Sequence, residues 1–418
     1  MSSSHRTSCR FRLILGAASI AAGFAVSARA ADWPQWRGPN RDGISSEKGL
    51  LREWPDGGPK LLWKATGLGE GFSGPAVVGN RLYSMGNADG QEWVFCLDLN
   101  QRGKPIWGTP IGRIRHTGSG YPGTRSTPTI DGDRLYALGI NGDLVCLDVR
   151  TGRVIWRVDL VRDLGGSIPQ WGYSESVLID GPWVLCTPGG QKATMAALNK
   201  ADGRLVWGSP VGDPAAYSSI VKAELAEVPQ YITFTARGVV GVAAKDGAPL
   251  WRYDRPANRT ANIATCVVYG QTVFAASGYG TGGGAAWITG TSDGFDAKEL
   301  YFTRDMQNHH GGVIHVGDYL YGASNPGVLT CINYRTGETV WQEREPGKCS
   351  ILYADGMLFC RDERGPITLV EATPEGYRRR GRFDQPHRSD RRAWPHPVIA
   401  GGRLLIRDQD VLLCYQVK

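Results

Sequence analysis

The sequence predicts an all-β fold: an eight-bladed β-propeller of four-stranded antiparallel blades, closed by an N-terminal strand that completes the C-terminal blade. Three observations carry this expectation. A turn glycine, three residues and then a tryptophan recur at Gly103–Trp107, Gly152–Trp156, Gly203–Trp207, Gly247–Trp251 and Gly337–Trp341. Short alternating strands separated by glycine turns recur inside each unit, with hardly any helix signal. The two ends of the chain are complementary, one carrying three strands of a unit and the other a single strand.

The tryptophans set the period. Starting from Trp63 they recur every 44–51 residues, and the interval from Trp251 to Trp341 is about twice that, so one unit has lost its indole. A period of this length indicates a propeller or a solenoid. The second unit shows the strands best. Ser126–Asp131 turns at Gly132 into Arg134–Leu138, Asn141-Gly142 is a hairpin signal, Leu144–Asp148 follows, and Thr151-Gly152 leads into Arg153–Trp156. The eighth unit begins at His396 with Pro397–Ala400, Arg403–Arg407 and Val411–Val417, then the chain stops. Leu61-Leu62-Trp63 supplies the missing fourth strand, which selects ring closure over an open solenoid with polar caps. Trp63, Trp107, Trp156, Trp207, Trp251 and Trp341 then have a structural role, filling the wedge between neighbouring sheets.

The ends and composition bound the rest. Arg6, Arg10 and Arg12 precede an apolar stretch from Leu13 to Val26, and Ala28-Arg29-Ala30 reads as a cleavage site. Residues 1–30 are expected to be a signal peptide cut after Ala30, placing the product in the periplasm or outside the cell. Cys9 precedes the apolar stretch, so no lipid anchor is expected. Residues 31–59 form an extension packing on the propeller, and 60–418 the propeller itself. The formal charge of +7 falls to about +3 without the leader's four arginines, too little to argue for nucleic acid. After Ala31 no apolar run reaches membrane-spanning length, and a monomer is expected.

The segment Asp148 to Trp156, with Arg335-Thr336-Gly337 to Trp341, resembles the repeat of pyrroloquinoline-quinone (PQQ) enzymes and of non-catalytic relatives that include a propeller lipoprotein of outer-membrane assembly. The resemblance covers nearly all of residues 60–418. The opening Asp32-Trp33-Pro34-Gln35-Trp36-Arg37-Gly38 is similar to the start of many exported bacterial proteins of this group. It implies either a binding or interaction module in the cell envelope, with a protein or polymer partner, or a PQQ- and calcium-dependent periplasmic dehydrogenase of alcohols or sugars. The module reading is preferred. No two cysteines are adjacent and no C-x-x-C-H haem site is present, and no motif locates metal ligands or a base. No metal site is assigned and no cofactor is required, although PQQ with calcium is compatible with the repeat.

The candidate site lies before each first strand, where a propeller approaches its axis. Ordinary core positions repeat from unit to unit, whereas this set varies: Arg125, Tyr173 with Glu175, Tyr217, Asn262, Asn308-His309-His310, and Trp394 with His396. The expectation is a ligand-binding funnel at the propeller mouth. Adjacent residues of a strand point opposite ways, so His309 and His310 are not expected to share a metal. Arg125 and Glu175 could pair across blades. Cys96, Cys146, Cys331 and Cys414 share a third-strand position, and Cys186 and Cys360 a second-strand one; these read as buried free thiols. Gly278–Gly284 reads as a flexible hairpin, and the arginines at 378–380, 382, 388, 391 and 392 as a solvated edge or a docking patch for an acidic partner.

Overall fold

The glycine–tryptophan spacing has a contact behind it. In the computed structural model, which describes residue 1, residues 31–115 and residues 121–418, the turn glycines Gly103, Gly152, Gly203 and Gly247 each receive the indole of the preceding blade. At Gly152 (φ +74°) an added Cβ would lie 2.6 Å from the Trp107 ring, and Gly203 and Gly247 meet Trp156 and Trp207 in the same way. Any side chain there would push the blades apart. Several indole N–H groups also cross the wedge, Trp107 to the Val149 carbonyl, Trp156 to Lys200 and Trp341 to Thr373. The indole is thus both wedge and clasp. In the fifth blade, whose outer strand lacks the repeat tryptophan, Tyr301 stands at the indole position and packs on Gly337. The leader expected at 1–30, including Cys9, lies outside the described residues apart from Met1.

Eight antiparallel sheets form the ring. Blades 1 to 7 begin with the inner strands Ala76–Val78, Thr129–Asp131, Leu178–Asp180, Val221–Leu225, Val267–Tyr269, Asn308–Val316 and Cys349–Ala354. Blade 8 has Val398–Ala400, Arg403–Asp408 and Val411–Gln416, and Leu61–Ala65 pairs antiparallel with Val411–Gln416 as its outer strand. Closure therefore joins the two ends of the chain. No helix occurs among the described residues. Rungs such as Tyr136–Cys146–Trp156 cross the second, third and outer strands, and the eight described cysteines are free and buried.

The segment before blade 8's outer strand does more than pack on the ring. Trp33 exchanges backbone hydrogen bonds with Val77, and the Pro34 carbonyl accepts from Ile130. Arg37 and Arg41 turn at φ of about +60° and send their guanidinium groups to the carbonyls of Val313 and of Ser176 and Val177. Ile44–Ser45 adds a parallel strand inside Cys349–Ala354. Residues 33–45 thus cross the axis and reach the inner strands of blades 1, 2, 3, 6 and 7. Farther on, Trp54 lies over Gly381 and between Phe359 and Phe383. Gly381 occupies the indole position of blade 7, so the extension supplies the missing ring from outside the blade.

The arginine-rich edge neutralises itself. Arg378 and Arg380 pair with Glu371, Arg378 also with Glu375, Arg379 and Arg382 with Glu345, and Arg388 with Asp408. It offers little uncompensated charge to an acidic partner.

Candidate functional site

The loops entering the inner strands and the hairpins between second and third strands lie on one face, and together they line a cavity of about 430 Å³ on the axis. Its depth is closed by Trp36 from the crossing segment, whose indole donates to Thr265 Oγ1 at 3.0 Å and meets the His396 ring at 4.6 Å. The axis is therefore a blind funnel open at one end. Phe72 and Trp394, with Tyr121 against Trp394, form one aromatic wall, ring centroids 5.0 and 4.9 Å apart. Trp171 and Tyr217 form a second, at 5.6 Å. Tyr279, from the glycine-rich hairpin of blade 5, donates to or accepts from His309 Nε2 at 2.9 Å.

Charge enters at two places. Arg125 donates to the carbonyls of Trp171 (2.7 Å) and Tyr121 (2.8 Å) and lies over Phe72. Burial pulls its pKa down to about 10 against the opposing pull of Tyr217 and Glu92. On blades 7 and 8, Glu363 pairs with Arg392 (3.2 Å) and Lys348 (3.8 Å) and accepts from Trp394 Nε1 (3.1 Å). Glu363 is the one carboxylate among the described lining side chains. Burial, aided by Lys348, lowers His309 to about 4, and burial, aided by Arg37, lowers His396 to about 3. His310 is likewise held well below its ordinary range, so all three rings are neutral at pH 7.

Of the residues expected at the funnel, Arg125, Tyr217, His309, His310, Trp394 and His396 line it. Tyr173, Glu175, Asn262 and Asn308 do not. Tyr173 is buried and donates to Pro188 O at 2.8 Å. Glu175 accepts from Thr187 N behind the wall, and burial lifts it to about 7. It forms no ion pair with Arg125, which bonds backbone carbonyls instead. The side chains of Asn262 and Asn308 bond local backbone, at Thr235 and at Gly312 and Ala323. In the loop entering the third blade, Ser174 lines the funnel while its neighbours Tyr173 and Glu175 turn into the blades. The histidine pair departs from that alternation. Register breaks between Asn308 and Val313, Gly312 has φ +73°, and both rings reach the funnel with Nδ1 atoms 3.1 Å apart. Trp36, Trp171, Tyr279, Lys348 and Glu363 are lining residues that the sequence did not single out. The signal for Tyr279 and Glu363 was their place in second-to-third-strand hairpins, which open on the same face as the inner-strand loops.

The residues do not fit a calcium-bound quinone. Calcium takes six to eight oxygen ligands. The funnel's one carboxylate is already shared by two cations and an indole N–H, and among the described residues no group of three His, Cys, Asp or Glu side chains is placed to hold a metal.

Fold and site together define a propeller of the PQQ-like repeat class with a blind aromatic funnel on its axis. The chain belongs to the PQQ_2 family, described as outer membrane protein assembly factor BamB, which it matches over residues 90–343. It is 24% identical over 278 residues to the outer membrane protein assembly factor BamB of Shewanella oneidensis, covering 63% of this chain and 67% of that one. Among solved structures it is similar to BamB from Moraxella catarrhalis, with TM-score 0.61 and 16% identity over 86% of this chain and 98% of that one. It is also similar to the quinohemoprotein alcohol dehydrogenase of Comamonas testosteroni, with TM-score 0.66 and 10% identity over 94% and 81%. At these identities the structural likenesses establish the fold alone. No helix of the described residues is long and apolar enough to cross a membrane.

Proposed function

We propose that this chain is an exported interaction module of the cell envelope that serves outer membrane protein assembly, and that it recognises its partners through the funnel face. Family membership supports the envelope role. The observation that carries the choice of face is the blind funnel: a concave, aromatic-lined site built from all around the ring, with its acidic group committed to ion pairs. A dehydrogenase would need oxygen ligands that this lining lacks.

The test is site-specific cross-linking in cells. A photoreactive phenylalanine analogue replaces Tyr279, which is exposed at the funnel mouth, or Val206, which is exposed on an outer strand. Position 279 is expected to yield an adduct with a component of outer membrane protein assembly, and position 206 none. Adducts from position 206 alone would overturn the choice of face.

A further inference from the structure

The deep part of the funnel is built more finely than a docking rim requires. Three features point to a ligand. First, the lining carries Arg125, Lys348 and Arg392 against Glu363 alone, with neutral imidazoles, so the cavity favours an anion and disfavours a cation. Second, its aromatic pairs are inclined to one another, Phe72–Trp394 by 42°, Tyr121–Trp394 by 37° and Trp171–Tyr217 by 46°. No parallel pair of facing rings, the slot a flat ligand would need, is among these contacts, and the rings offer apolar surface to the C–H face of a sugar. Third, Ser174, Tyr121 and Asn325 bring hydroxyl and amide groups to the same lining.

We propose that the funnel binds the end of an acidic oligosaccharide, with sugar rings on the aromatic walls and a carboxylate toward Lys348 and Arg392. The closed floor at Trp36 admits a chain end and refuses a threaded chain. The inference rests on the reading of the funnel face as the recognition face and goes beyond it by naming the ligand's chemistry.

Calorimetric titration of the purified chain with trigalacturonate, trimannuronate, maltotriose and benzoate tests it. At least one uronate trimer is expected to bind about tenfold or more tightly than maltotriose, a difference of about 1.4 kcal/mol. Arg392→Gln and Lys348→Met are each expected to weaken that binding about tenfold. The Arg392 side chain is half exposed, so its variant should melt with the wild type and separate ligand loss from misfolding. Equal binding of maltotriose, binding of benzoate in place of the uronates, or no uronate binding at millimolar concentration would each overturn the inference. If cross-links from position 279 persist while uronates fail, only the sugar assignment falls; if those cross-links vanish, the choice of face falls with it.

Discussion

Replacing Arg407 by leucine is expected to lower the free energy of unfolding by about 4 kcal/mol, within the range for breaking a buried charged network. Arg407 is fully buried where blade 8 meets blade 1. Its guanidinium donates to Ser73 O (3.0 Å), Ser84 Oγ (2.7 Å), Leu68 O and Gly69 O (both 3.2 Å), Met85 O and, through Nε, Gln409 O (3.0 Å). All of these acceptors except Gln409 lie on the stretch that follows the closing strand, so one side chain holds the ring's seam. Burial lowers its pKa to about 9, which leaves it charged at neutral pH. Leucine fills part of the volume but strands the carbonyls, and each unmatched buried acceptor carries its own desolvation cost. Denaturant unfolding of the Arg407→Leu protein measures the change. A loss under about 1 kcal/mol would mean that water reaches the seam and replaces the guanidinium.

The second large effect depends on pH. Glu92, on the third strand of blade 1, is buried and accepts from Ile140 N with both oxygens, at 2.9 and 3.1 Å. Burial, with Asp143 nearby, lifts its carboxyl to about 8 against the opposing pull of the Ile140 N–H and Arg125. The unfolded chain releases this proton near 4.5, whereas the folded chain keeps it until about 8. Between those values the folded state holds the extra proton, so the group's contribution to stability is full below about 4.5 and is lost as pH rises toward 8. The slope is about 1.4 kcal/mol per pH unit. Histidines 309 and 396 act in the opposite sense at lower pH, being held neutral when folded, so their stabilising share is lost as pH falls below about 6.5. Comparing wild type with Glu92→Gln cancels them. From pH 5 to pH 8 the variant is expected to gain about 3–4 kcal/mol relative to wild type. A difference that stays constant within about 1 kcal/mol would show that Glu92 is ionised in the folded protein throughout.

The ring was legible because its signals are local and repeated. Gly152 and Trp107 announce a blade contact from sequence, since only glycine leaves room for the indole above it. Leu61-Leu62-Trp63 was legible as a closing strand because its tryptophan matches the fourth strands that carry Trp107, Trp156, Trp207, Trp251 and Trp341. The funnel was legible only in part. Arg125 and His396 could be found from their place before a first strand, but at Tyr173 and Glu175 the inner-strand loop turns the side chains into the blade. The crossing segment left no such trace. Trp36, Arg37 and Arg41 sit on an irregular stretch with left-handed turns, and the partners that tie them to the blades are more than a hundred residues away. No periodicity encodes contacts of that kind. Trp54 is similar, being legible as an apolar residue of the extension but not as the ring that completes blade 7.

The central claim is that recognition takes place at the funnel face. Hydrogen exchange of the protein in isolated envelopes, compared with the purified protein, tests it most directly. The account predicts slowed exchange in residues 121–125, 171–175, 276–281 and 391–396, with the outer strands Leu205–Gly208 and Thr339–Glu343 unchanged. Protection confined to those outer strands, or to the opposite face around Gly401 and Gly402, would contradict it.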